Sequence, residues 1–85
     1  MEYRYIGSSG LRVSPICMGT MSFGTWSDKS ESFRILDTAF DRGVNFFDTA
    51  EIYPVPPTAE MAGLSEEIFG QWIKTKSRDA VLVAT

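Results

Sequence analysis

An α/β fold built on a parallel sheet is what this 85-residue sequence predicts, and three observations predict it. Short apolar runs, Ile16-Cys17-Met18, Val44 with Phe46 and Phe47, and Ala80 to Ala84, recur along the chain. Each reads as a strand buried on both faces, because none alternates apolar with polar residues. Two longer segments of helical periodicity lie between them with mostly short connections, the order expected of right-handed βαβ crossovers.

The elements follow in chain order. Tyr3 to Ile6 and Leu11 to Val13 flank Gly7-Ser8-Ser9-Gly10, a turn composition that supplies positive φ angles and predicts a hairpin. Pro15 interrupts, and Ile16 to Met18 then forms the first core strand, entering a loop at Gly19-Thr20. After the loop Met21 to Ser27, Ser27 or Asp28 caps a helix in which Phe33, Ile35, Leu36, Ala39 and Phe40 fall on an arc of roughly 160°. Gly43 stops that helix at the position just past its end. Val44, Phe46 and Phe47 form a second strand ending at Asp48-Thr49.

Pro54, Pro56 and Pro57 make residues 54 to 63 an extended connector. Ser65, followed by Glu66 and Glu67, starts a second helix whose core face is Leu64, Ile68, Phe69, Trp72 and Ile73. Lys74, Lys76 and Arg78 read as its solvated basic end. Ala80 to Ala84 is the third strand.

Three parallel strands with helices on one side leave two unpaired edges and a bare sheet face. A (β/α)₈ barrel of about 250 residues closes such edges. A doubly wound sheet would also cover that face, but the dinucleotide fingerprint G-x-G-x-x-G is absent after the first strand, where the chain reads Gly19-Thr20-Met21-Ser22-Phe23-Gly24. No lysine follows to make a phosphate loop. Residues 1–85 are therefore expected to be a hairpin plus the first β-α-β-α-β units of an incomplete barrel. Exposed edges and an apolar face predict self-association of the isolated segment.

Composition excludes several function classes. The single cysteine, Cys17, cannot form an internal disulfide, and the lack of histidine and of a second thiol argues against a structural zinc site. Inside an apolar strand Cys17 is expected to be a buried, inert thiol. Eight basic against eleven acidic residues give a net charge of −3, with no basic cluster suited to nucleic acid. The N-terminus lacks the layout of a secretion signal and no apolar run reaches the ~20 residues needed to cross a bilayer. A cytoplasmic protein is expected.

Chemistry concentrates at the carboxyl ends of the strands, where barrels and open α/β sheets assemble their sites. Thr20, Asp48 and Thr85 occupy those ends. Asp48 leaves an apolar strand as a carboxylate that must be solvated, hydrogen-bonded or paired with a cation; its simplest alternative role is to cap the following turn. Tyr53 begins the next loop, and its phenol becomes a useful acid at neutral pH only beside a cation. Trp26, in the loop after the first strand, could line a substrate pocket or cover a helix end. Asp48 with Glu51 as a glycosidase pair is disfavoured, since no second acid of that kind is placed on another strand end.

Gly19-Thr20-Met21, the run Gly43-Val44-Asn45-Phe46-Phe47-Asp48-Thr49-Ala50-Glu51-Ile52-Tyr53, and Val81-Leu82-Val83-Ala84-Thr85 together resemble successive signatures of the aldo-keto reductases. The hairpin Tyr5 to Ser14 is similar to the one that seals the bottom of that family's barrel. The stretch Pro54-Val55-Pro56-Pro57 resembles a bacterial, NADP-dependent branch. The resemblance implies a barrel that binds NADPH without a Rossmann domain and reduces a small-molecule aldehyde or ketone. It implies Tyr53 as proton donor to the carbonyl oxygen of the substrate. Asp48 would pair with a lysine, and Gly19, Thr20, Met21 and Asp48 would lie near the nicotinamide or its ribose. The family's lysine is expected directly after Thr85, and its histidine is absent because the sequence has none. The 85 residues alone are therefore expected to be inactive, and a non-catalytic remnant or a reductase-like association module is the alternative.

Overall fold

A computed structural model describes residues 2–54 and 58–85. Arg4–Tyr5 (β1) pairs antiparallel with Arg12–Val13 (β2). Cys17–Gly19 (β3), Phe46–Asp48 (β4) and Leu82–Ala84 (β5) form a second, parallel sheet in the order β3-β4-β5. Two helices, Lys29–Asp41 (α1) and Leu64–Ile73 (α2), cross over between successive strands. The α/β reading thus holds, with the third strand beginning later than expected because Arg78–Ala80 winds into a single 3-10 turn.

Local chemistry sets both ends of α1. Asp28 is its N-cap, accepting the Glu31 amide at 2.8 Å. At the other end Gly43 adopts φ 100°, and its amide and that of Val44 donate to the Phe40 and Ala39 carbonyls at 3.0 Å each. These two bonds are the Schellman arrangement, which needs a left-handed residue where Gly43 stands. Val44 and Ala39, the apolar pair that accompanies it, both lie in the core.

The core fills the space between the sheet and the two helices. Phe47 and Trp72 are fully buried, with Phe47, Phe69 and Trp72 packing as an aromatic cluster at ring separations of 5.2 to 5.8 Å. Met18 and Val83 flank Phe47 on that side. The side-chain period of two turns the neighbouring residues Cys17, Phe46 and Leu82 to the opposite face. The described residues leave that face uncovered, and Cys17 is solvent-exposed there. The expected buried thiol is corrected: a run apolar along its length is buried on both faces only once both faces are covered.

Four other expectations are revised. Ser65 does not cap α2. Gly63 holds that position in the left-handed region without a side-chain bond, and the buried Ser65 hydroxyl instead donates to the Phe23 carbonyl at 2.6 Å. Lys76 is not a solvated end: its ammonium lies 3.2 Å from Asp37 and 5.0 Å from the Phe40 ring centre. Arg78 donates to the Val81 carbonyl at 2.6 Å. Residues 58–63 form turns, with Ala62 and Met61 amides donating to Thr58, rather than extended chain; Val55 to Pro57 lie outside the described residues.

Asn45 fixes the hairpin beneath the sheet. Its side chain accepts the Ser14 amide at 2.7 Å and donates to the Arg12 carbonyl at 3.0 Å, while its own carbonyl accepts the Leu82 amide at 2.7 Å. The Tyr3 hydroxyl adds a bond of 2.7 Å to the Gly43 carbonyl. Sequence reasoning passed over Asn45, since nothing local says that three segments converge on it.

Candidate functional site

Parallel register brings the strand ends into one row. Gly19 lies opposite Asp48, and Asp48 opposite Ala84. Hydrogen bonds continue the row past the strands: the Thr20 amide and hydroxyl both donate to the Asp48 carbonyl, at 3.1 and 3.0 Å, and the Thr49 amide donates to the Ala84 carbonyl at 2.9 Å. Thr20 is fully buried, so its hydroxyl ties β3 to β4. Asp48 is half-buried on the central strand, with its side chain on the same face as Gly19 and Cys17.

Cys17 reports the charge at this edge. Desolvation against the sheet raises its thiol above the ordinary range, and the Asp48 carboxylate on the same face raises it further. The thiol is therefore held in its protonated, poorly nucleophilic form despite its exposure.

Tyr53 is half-buried five residues beyond Asp48. Its amide donates to the Ala50 carbonyl at 3.1 Å, and its carbonyl accepts the Gly63 amide at 3.0 Å. The loop after β3 is compact, with the Gly24 amide donating to Ser27 at 2.7 Å and the Phe23 side chain buried in the core. It presents Met21, 53% exposed, and Trp26, 80% exposed. An indole so exposed covers no helix end.

The backbone at Gly19 borders open space. A Cβ placed on Gly19 would meet nothing within 4 Å, so the chain is open to solvent at that strand end. Asp48 lies opposite Gly19 in the strand register, and the buried Thr20 ties the two strands through its bond to the Asp48 carbonyl.

These features, a parallel β-α-β-α-β segment with a carboxylate at its central strand end, are those of one region of an α/β barrel. The chain belongs to the Aldo/keto reductase family, which matches residues 15–85. It is 48% identical to the uncharacterized oxidoreductase YrpG of Bacillus subtilis over all of this chain and 26% of that one. It is 41% identical to protein tas of Escherichia coli, again over its whole length and 25% of that protein. The chain thus spans about a quarter of these relatives. Among solved structures, the thermostable aldo-keto reductase Tm1743, determined with the inhibitor epalrestat, superposes with a TM-score of 0.77 at 28% identity, over 98% of this chain and 30% of that one. The described fold is accordingly part of an aldo-keto reductase barrel.

Proposed function

We propose that the protein containing this segment reduces aldehydes or ketones to alcohols with NADPH in the cytoplasm, and that Asp48 and Tyr53 belong to its active site. The observation that carries the reading is the row Gly19, Asp48, Ala84 at the carboxyl edge of the sheet, with Tyr53 opening the loop that follows. Bound NADPH supplies the hydride that turns the carbonyl carbon into an alcohol carbon. Tyr53 delivers the proton that the substrate oxygen then requires. Asp48 holds the cation, a lysine by family resemblance, whose field lowers the proton affinity of the phenol. Gly19, Thr20 and Met21 border the nicotinamide, and Trp26 faces the substrate.

The test is NADPH oxidation by the whole protein across a panel of small aldehydes and ketones, with NADH in parallel. Replacing Tyr53 by Phe removes the proton donor and leaves the ring. It is expected to lower kcat by roughly 10²- to 10⁴-fold while NADPH binding changes little. A Tyr53→Phe enzyme that retained full kcat would remove Tyr53 from the proposed role.

A further inference from the structure

Every segment that leaves a strand of the parallel sheet is bonded to the same short stretch, residues 63 to 66 at the start of α2. The loop after β3 is held by the Ser65 hydroxyl, which donates to the Phe23 carbonyl at 2.6 Å, a bond that is wholly buried. That loop also lies tight against the helix, where a Cβ on Gly24 would come within 2.7 Å of the Leu64 side chain. The segment after β4 is held by the Gly63 amide, which donates to the Tyr53 carbonyl at 3.0 Å. The residue after β5, Thr85, donates its hydroxyl to the Glu66 carboxylate at 3.3 Å.

From this convergence we infer that the first turn of α2 is the positioning element of the site, and that Ser65 is the positioning residue for its substrate side. The inference rests on the reductase reading and assigns no contact with substrate to Ser65. Ser65 acts through the loop: its hydroxyl fixes Phe23, which lies between Met21 and Trp26 in the sequence of the loop after β3, and those two side chains are exposed. Tyr53 hangs from Gly63 by a separate backbone bond, so loss of the Ser65 hydroxyl loosens the substrate-side loop and leaves the Tyr53 segment attached. This separation gives the arrangement a distinctive kinetic signature. An interaction used equally in ground and transition states moves KM and not kcat.

The experiment uses the whole protein with Ser65 replaced by Ala and by Cys, the latter of similar shape with a weaker donor. Steady-state kinetics with a carbonyl substrate is expected to show KM raised roughly five- to tenfold in Ser65→Ala, the equivalent of one hydrogen bond, with kcat nearly unchanged and Ser65→Cys intermediate. The second readout needs no turnover: 5-fluorotryptophan is incorporated and the Trp26 and Trp72 fluorine resonances are assigned with Trp26→Phe and Trp72→Phe. The Trp26 line is expected to shift or broaden in Ser65→Ala while the Trp72 line stays in place.

If the protein turns over no carbonyl, the reductase reading fails and the fluorine spectra still decide whether Ser65 orders the loop. An unchanged Trp26 resonance in Ser65→Ala would overturn the inference, as would a fall in kcat at constant KM. Should Ser65→Ala lose its fold, both fluorine lines collapse together and the same criteria are applied to Ser65→Cys.

Discussion

Beside Asp48, the Thr49 hydroxyl is buried with no hydrogen-bond partner among the described residues, in a side chain only 3% exposed. An unsatisfied buried hydroxyl carries a desolvation penalty of about 1–3 kcal/mol, which an isosteric methyl removes. Thr49→Val is therefore expected to leave stability unchanged or raise it by about 1 kcal/mol in denaturant unfolding. A loss of that size would show that the hydroxyl is bonded in solution. Cys17, on the open sheet face, offers a second test at this scale. Partial desolvation against the sheet and the Asp48 carboxylate both disfavour its thiolate, so at neutral pH alkylation should be slower than for an unhindered cysteine. The pH midpoint of the reaction should lie above the ordinary thiol range, and Asp48→Asn should bring it down. A midpoint indifferent to Asp48→Asn would mean that the carboxylate does not face Cys17.

Between the helices, one cluster of contacts joins charge to core. The Trp72 indole donates to the Asp37 carboxylate at 2.8 Å, and Lys76 approaches the same carboxylate at 3.2 Å while lying over the Phe40 and Trp72 rings. The Trp72 hydrogen bond, followed by that of Lys76, holds Asp37 below the usual carboxylate range. A depressed folded value means a contribution that is present above the ordinary carboxylate pKa of about 3.9 and is lost as pH falls through the lowered value. Asp37 is 53% exposed, so solvent screening limits the effect to about 0.2–1 kcal/mol. Asp37→Asn keeps an acceptor for the indole and removes the charge. Its stability deficit should be present at neutral pH and shrink as pH drops from roughly 4 downward. A deficit that persisted undiminished at low pH would assign the effect to packing instead of charge.

At the scale of the molecule, the described chain presents a three-stranded sheet covered by helices on one face, with two open edges. No helix among the described residues is long and apolar enough to cross a membrane. Unpaired strand edges template further pairing, and exposed apolar surface favours association. A polypeptide limited to residues 1–85 is thus expected to self-associate, with sizing chromatography giving a concentration-dependent, larger-than-monomer profile. A sharp monomeric peak at high concentration would contradict this.

How much of this was legible in the sequence depends on how far each signal reaches. The cap at Ser27 or Asp28, Gly43 and the stripe Leu64 to Ile73 act within one turn of their own helix, so their chemistry indicates cap, stop and core face without knowledge of the rest, the structure choosing Asp28 as the cap. The order of strands and helices followed from the same short-range periodicities, and the motif around Asp48 and Tyr53 pointed to the family to which the chain belongs. The tertiary structure decided what depends on distant partners. The exposure of Cys17 turns on what lies over the sheet; the roles of Asn45, Ser65 and Lys76 turn on partners 31 to 42 residues away in the case of Ser14, Phe23 and Asp37. The alignment of Gly19, Asp48 and Ala84 turns on strand register. A side chain's type fixes what it can bond, but only the folded chain brings the partner to it.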